Sequence, residues 1–183
     1  MELHKILAVR NDRFGEFLLT IPAICALKQN FPNSRLTLAV DAYVQPLAKR
    51  IAVVDEVVTW ENRKHTFSEI LRFSQAFKQE RYGLCVIFNP SKEFNIISFL
   101  AGIPLRIGYN RKWGFLLNRR IEDKKREGLK HEVTYNLELL KTIGIEAPHS
   151  QGGAGCRGAV FCSSGVNNLD SNGFPLEIKD MDF

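Results

Sequence analysis

The sequence predicts an α/β domain in which a Rossmann-like parallel sheet carries helices on both faces. Short apolar runs alternate with longer stretches whose apolar residues recur near the 3.6-residue period of a helix, and this alternation is typical of parallel sheets. The first run, residues 6–9, is apolar throughout, as expected for an interior strand that is covered on both faces. A length of 183 residues fits one domain of ordinary size with an appendage.

The elements are expected in a regular order along the chain. Five apolar runs predict strands at residues 6–9, 36–40, 56–60, 84–88 and 106–109. Five helices are predicted at residues 20–30, 44–51, 66–79, 93–101 and 132–143. We expect Thr20 to be the N-cap of the first helix, because this places Pro22 in the first turn, where its missing amide hydrogen is tolerated.

The pattern changes after Pro148. Residues 149–183 contain six glycines and show no sustained period of either kind, which indicates little capacity to pack. We therefore expect a patterned domain over residues 1–148 and a poorly ordered tail over residues 149–183. The tail is interpreted as a foreign or truncated ending.

Several classes of protein lack support in the sequence. The apolar runs are too short to span a bilayer, and no signal peptide is visible at the start. Cys25 and Cys85 lie inside apolar runs and are interpreted as core residues, whereas Cys156 and Cys162 have poor spacing for zinc. The glycine-rich loops of dinucleotide-binding proteins and NTPases are missing, as is a serine nucleophile elbow.

The net charge of +5 is unevenly distributed. Residues 105–131 hold nine basic residues against three acidic ones, a local excess of six positive charges. This excess favours an anionic partner such as phosphate, nucleic acid or an acidic membrane surface. The alternative is a solvated loop and helix face.

Polar residues follow the first strand at the edge where open α/β sheets usually bind ligands. Arg10 and Arg13 could clamp a phosphate or carboxylate through several donors each, or they could form ion pairs with Asp12 or Glu16. Gly15 would allow a close backbone turn. Glu16, near the start of a helix, could accept a proton from a hydroxyl group, or it could only complement the helix dipole.

Two further clusters follow the fourth and fifth strands. Asn89-Pro90-Ser91-Lys92 would present a hydroxyl and an ammonium group at the same edge, although turn chemistry alone also explains this stretch. Gly108-Tyr109-Asn110-Arg111-Lys112 follows the fifth strand. Together, the three clusters predict a site for a polar, anionic ligand.

The stretch "ILAVRNDRFGEFLLTIPAICALKQNFPNSRLTLAV" resembles the start of glycosyltransferase family 9, the lipopolysaccharide heptosyltransferases. The likeness continues through "VDEVVTW", "FNPSKEFNIISFLAGIPLRIGYNRKWGFLLNRRI" and "KHEVTYNLELLKTIGI" and covers roughly residues 4–147. Such enzymes have the two-domain GT-B architecture. The resemblance implies that this chain is the N-terminal, acceptor-side half and that the donor-binding domain is not included.

The resemblance also implies roles for individual residues. Glu16 stands where the family has its proposed general base, usually an Asp, and is one methylene longer. The acceptor side would be lined by the following residues: Arg10, Asn11, Arg13, Gly15, Ser91, Lys92, Arg106, Arg111 and Lys112.

The partners follow from the same resemblance. The acceptor would be the phosphorylated inner core of lipopolysaccharide, and ADP-heptose would be the donor, bound only when a second domain is supplied. No metal and no cofactor are expected, and no nucleic-acid partner. The protein is expected in the cytoplasm. It could also contact the inner face of the cytoplasmic membrane as a peripheral protein.

Two other functions stay open at this point. The chain could be a non-catalytic domain that binds an anionic glycolipid or another polyanion. Residues 105–131 could also bind nucleic acid, since Trp113 and Phe115 lie among their basic residues.

Overall fold

The computed structural model describes residues 3–125 and 128–145, and a six-stranded sheet forms its centre. The strands are β1 (Lys5–Arg10), β2 (Arg35–Val40), β3 (Glu56–Thr59), β4 (Leu84–Ile87), β5 (Leu105–Tyr109) and β6 (Arg119–Ile121). All neighbours pair in parallel, in the order β3-β2-β1-β4-β5-β6. The predicted parallel sheet is confirmed. The sequence did not reveal β6, because this exposed edge strand has Ile121 as its single apolar residue.

Helices cover both faces of the sheet, as predicted. They are α1 (Phe14–Leu18), α2 (Ile21–Asn30), α3 (Gln45–Ala48), α4 (Phe67–Glu80), α5 (Lys92–Leu100) and α6 (Glu132–Lys141). Alternate residues of β1 point to opposite faces. Ile6 and Ala8 join the core formed with α1, α2, α3 and α6. Leu7 and Val9 join the core formed with α4 and α5. Burial on both sides explains why the inner strands are apolar without alternation.

The expected capping role of Thr20 is only partly right. Thr20 is the N-cap residue of α2 and Pro22 lies in the first turn, but Thr20 has helical dihedral angles and its side chain makes no capping bond. Its hydroxyl instead donates to the carbonyl oxygen of Glu16 at 2.8 Å. The reason is α1, a short helix that the sequence did not predict and that occupies the turn before α2.

The tail falls outside the residues that the structure describes. The expectations for residues 149–183, and for a domain boundary at residue 148, therefore stay predictions.

The strand order fixes where a ligand site belongs. The chain progresses from β1 to β2 and β3 on one side, and then returns to place β4 against the other side of β1. In such sheets a crevice opens beyond the carboxyl ends of the two strands at this switch point. The three predicted polar clusters follow β1, β4 and β5 and lie at this edge.

Candidate functional site

A cleft of about 660 Å³ lies at the carboxyl edge of the sheet. Its floor comes from Asn11 and Asp12 after β1 and from the turn after β4, residues 89–93. Its two walls are the loop after β3 and the turn after β5. These walls contribute Glu61, Asn62, Arg63, Lys112 and Trp113.

Two asparagines connect the strands at the switch point. The Asn89 amide nitrogen donates to the Asn11 side-chain oxygen at 3.0 Å. This bond joins the segments that follow β1 and β4, so it holds the floor of the cleft together.

Ser91 and Lys92 reach the cleft from the start of α5. Ser91 is the N-cap of α5, and its hydroxyl oxygen accepts from the Phe94 amide at 3.4 Å. Lys92 places its ammonium nitrogen 4.4 Å from the centre of the Trp113 ring. The structure therefore brings together Asn11, Ser91, Lys92 and Lys112 of the predicted site.

Arg10 is the centre of a buried ionic cluster beside the cleft. Its side chain is 2% exposed and pairs with Asp12 at 2.7 Å, with Glu16 at 2.8 Å and with Glu132 at 3.3 Å. It also donates to the carbonyl oxygen of Phe88 at 2.9 Å. These contacts favour the ion-pair interpretation of Arg10 over the anion clamp. The guanidinium group is buried, whereas its partners Asp12 and Glu16 are partly exposed.

Burial changes the acid–base behaviour of this cluster. Burial raises the pKa of Asp12, and the positive charge of Arg10 does not fully compensate. Burial also lowers the pKa of Lys125, although this ammonium group hydrogen-bonds to Glu132. Both charges therefore cost free energy in the folded state.

Glu16 lies on the outer side of this cluster. It is in the first turn of α1 and so lies near a helix start as expected, although α1 itself was not predicted, and its side chain is 36% exposed. One carboxylate oxygen is held by Arg10, but Glu16 is not among the residues that line the cleft. The carboxylate is thus held in position and partly open to solvent, and it is linked to the cleft through Arg10, which also pairs with the cleft residue Asp12.

Four other predicted residues do not line the cleft. Arg13 is exposed and precedes α1. Gly15 has open space where a Cβ would lie and lacks a positive φ, so neither sterics nor backbone conformation requires glycine there. Arg106 donates to the carbonyl oxygens of Ile103 and Leu116, and Arg111 pairs with Asp123 at 2.9 Å.

The basic stretch at residues 105–131 is partly neutralised by ion pairs, which include that of Arg111 with Asp123. Lys124 pairs with Glu122, Lys125 with Glu132 and Lys130 with Glu138. Among the described basic residues of this stretch, four form no ion pair with a carboxylate: Arg106, Lys112, Arg119 and Arg120. Ion pairing therefore reduces the local excess of positive charge but does not remove it.

Three important residues of this region escaped sequence reasoning. Asp12 stands inside the first motif and could have been considered as a cleft residue. Trp113 was seen only as part of an aromatic and basic stretch. Glu132 lies 122 positions from Arg10 along the chain, so no local signal could have linked the two.

Within residues 3–125 and 128–145, no group of three or more His, Cys, Asp or Glu residues could hold a metal ion. No helix in this part of the chain is long and apolar enough to cross a bilayer.

The sheet and its cleft define a Rossmann-like α/β domain with a polar cleft at the switch point. No family model matches the chain. A Haemophilus influenzae protein assigned provisionally as a glycosyltransferase is 28% identical over 142 residues, which are 77% of this chain and 41% of that protein. Lipopolysaccharide heptosyltransferase 2 of Salmonella typhimurium is 24% identical over 124 residues, 66% of this chain and 36% of that protein.

Solved structures show the same fold. A family 9 glycosyltransferase from Veillonella parvula superposes with a TM-score of 0.67 at 17% identity, covering 79% of this chain and 43% of that chain. The Escherichia coli heptosyltransferase WaaC with ADP gives a TM-score of 0.65 at 20% identity, covering 81% and 50%. The resemblance to glycosyltransferase family 9 is confirmed. The chain spans about two fifths of the length of the curated relatives it matches.

Proposed function

We propose that this chain is the acceptor-side part of a glycosyltransferase of the heptosyltransferase type and works with a donor-binding domain. The observation that carries the proposal is the placement of Glu16. Its carboxylate is 36% exposed and is held by Arg10, which also pairs with the cleft residue Asp12. The cleft itself holds three cations, Arg63, Lys92 and Lys112. The likeness to lipopolysaccharide heptosyltransferase 2 supports the same function.

Glu16 is the proposed general base of the transfer. A hydroxyl group of the acceptor donates a hydrogen bond to the free carboxylate oxygen. As the hydroxyl oxygen attacks the anomeric carbon of the donor sugar, its proton passes to Glu16. The bond from that carbon to the phosphate oxygen breaks, and the nucleoside diphosphate leaves with the electron pair. Arg10 keeps the carboxylate in one orientation, which matters because small misplacements reduce rates strongly.

The partners in this proposal are those that the resemblance implies. ADP-heptose is the donor and is bound by the second domain. The acceptor is the phosphorylated inner core of lipopolysaccharide, whose anionic groups Lys92 and Lys112 would neutralise. The acceptor lipid would bring the protein to the inner face of the cytoplasmic membrane.

A hybrid enzyme tests this function. The chain is joined after residue 147 to the donor-binding half of a lipopolysaccharide heptosyltransferase, and heptose transfer to the core acceptor is measured. We expect transfer by the hybrid and none by the 183-residue chain alone, which should still bind the acceptor. Glu16→Gln in the hybrid should lower kcat by about 10²–10⁴-fold with little change in acceptor KM, because it removes the proton acceptor but keeps the shape.

Two variants complete the experiment. Glu122→Gln changes an exposed carboxylate that contacts Lys124 away from the cleft, so it should leave transfer unchanged. Glu16→Asp should keep or improve activity, since the family usually has Asp at this position. Full activity of Glu16→Gln would show that Glu16 is not the general base. A hybrid that binds the acceptor without transferring heptose would support the alternative of a non-catalytic binding domain.

A further inference from the structure

The turn after β5 has an unusual backbone. Lys112 and Trp113 are consecutive residues with φ angles of 47° and 70°. Non-glycine residues rarely adopt this left-handed region, and such strain persists only where surrounding contacts enforce it. It also tends to occur at ligand sites.

Buried contacts hold this turn in place. Asn95 in α5 is 2% exposed, and its amide nitrogen donates to the carbonyl oxygen of Lys112 at 2.9 Å. Gly114 closes the other side, where a Cβ would lie 2.7 Å from the carbonyl oxygen of Tyr109. The strained turn is thus built by the fold and is not a loose loop.

The effect of the turn is to place Trp113 in the wall of the cleft. Trp113 is 48% exposed, whereas the other tryptophan, Trp60, is 4% exposed and stacks on His65. Trp113 therefore adds little to the core. Lys92 sits over its ring, and neither Lys92 nor Lys112 has a carboxylate partner among the recorded ion pairs of the described residues.

The rest of the cleft indicates which ligand would bind there. Its described lining holds three carboxylates, from Asp12, Glu61 and Glu93, against three cations, from Arg63, Lys92 and Lys112. Carboxylates accept hydrogen bonds from sugar hydroxyls, but they repel a phosphate backbone. The balance favours a hydroxyl-rich ligand with a single anionic group over a nucleic acid.

We propose that Trp113 and Lys92 form a subsite for a pyranose ring that bears an anionic substituent, either carboxylate or phosphate. The indole face packs against the apolar C–H face of the sugar ring. The Lys92 ammonium lies over the indole ring, 4.4 Å from its centre, so on binding it moves off the ring to the edge of the sugar, where it neutralises the substituent. The inference rests on the proposed function in that this ring is part of the acceptor.

Nuclear magnetic resonance of the full 183-residue chain tests the subsite directly. The chain has two tryptophans, so its indole N–H signals report on Trp60 and Trp113 separately. The probes are methyl glucuronide, glucose 6-phosphate, methyl glucoside, inorganic phosphate and oligouridylate. We expect both anionic pyranoses to shift the Trp113 signal saturably, to bind about tenfold or more tighter than methyl glucoside, and to leave Trp60 unchanged. Inorganic phosphate alone should not shift Trp113.

Variants separate the two parts of the subsite. Trp113→Ala should weaken binding of both anionic pyranoses about tenfold or more, and Trp113→Phe should keep part of it. Lys92→Met should remove the preference for the anionic sugars but keep weak binding of methyl glucoside. Phe115→Ala is the matched control, since Phe115 is 67% exposed next to Trp113 but does not line the cleft, and it should bind as the wild type.

Each opposite result overturns the inference. Wild-type affinity of Trp113→Ala, no shift of Trp113 with either anionic pyranose, or shifts only with oligouridylate would each do so. The outcome is separable from the transfer assay. If a hybrid carrying Trp113→Ala transfers heptose with an unchanged acceptor KM, the subsite proposal fails but the proposed enzymatic function stands. If anionic sugars bind at Trp113 but no hybrid transfers heptose, the enzymatic function fails but the subsite stands.

Discussion

At the residue scale, Arg10 connects parts of the chain that are far apart. Its guanidinium contacts the ends of β1 and β4, the first turn of α1 and the start of α6. A buried guanidinium is costly unless it is paired and hydrogen-bonded, and here Asp12, Glu16 and Glu132 supply the pairing. We infer that Arg10 positions Glu16 rather than binding the ligand itself.

Asp12 should make the stability of the fold depend on pH in an unusual direction. Burial raises its folded-state pKa above the ordinary value of 3.8, so the folded chain binds the Asp12 proton more tightly than the unfolded chain. The stability that Asp12 contributes is present below pH 3.8 and is lost as the pH rises through the folded pKa. The free energy of unfolding of Asp12→Asn, relative to wild type, should therefore increase from about pH 3.5 to about pH 7 in urea titrations.

Asp55 supplies a control of opposite sign. Burial raises its pKa, but the hydrogen bonds from the Leu36 amide and from Lys28 outweigh burial and lower it. Asp55 therefore contributes stability above pH 3.8 that is lost as the pH falls through its folded pKa. Asp55→Asn should become less stable relative to wild type as the pH rises, and the same slope for both variants would contradict the assignment for Asp12.

At the scale of elements, the start of α4 is fixed by local side-chain contacts at its N-terminus. Thr66 and Glu69 form a capping box, in which each side chain bonds to the backbone of the other residue. The hydrogen bond from Arg63, followed by those from Thr66, lowers the pKa of Glu69 to about 2. Since Arg63 also lines the cleft, the cap and one wall of the cleft are held by the same contacts.

Loss of the Thr66 hydroxyl should weaken the start of α4. Thr66→Ala is expected to lower the free energy of unfolding by about 1 kcal/mol, because the Glu69 amide loses its side-chain acceptor. Thr66→Ser keeps the hydroxyl and should be within a few tenths of a kcal/mol of wild type in urea titrations. If both variants lose the same free energy of unfolding, the effect comes from the threonine methyl group and not from the hydroxyl of the cap.

At the scale of the whole molecule, the sheet is most protected at its centre. β1 and β4 are buried almost throughout, β3 is half-buried, and β6 is largely exposed. β1 and β4 each lie between two strands, whereas β3 and β6 are the edge strands of the described sheet.

Hydrogen exchange should follow this order. Amides of β1 and β4 are expected to exchange slowest, and those of β3 and β6 faster, because edge strands open without disturbing the rest of the sheet. Mass spectrometry of peptides from the four strands measures the difference. Protection of β6 equal to that of β1 would mean that another segment of the protein covers this edge.

The sequence alone determined the types of element and the class of fold. Apolar runs and helical periods are local properties, so five of the six strands and the two-sided arrangement of helices were predicted correctly. The motifs also indicated the resemblance to family 9 glycosyltransferases. β6 and α1 were missed because their short segments have no clear period and take their structure from neighbouring elements.

Only the tertiary structure decided the geometry of the candidate site. It placed β4 beside β1, buried Arg10 with Glu132, and set Glu16 outside the cleft while bringing Trp113 into its wall. The roles of these residues in binding and transfer stay predictions. Charges far apart in the chain meet only when strand order and loop closure bring them together. Since the burial of a cation depends on every element packed around it, no local window of sequence contains that information.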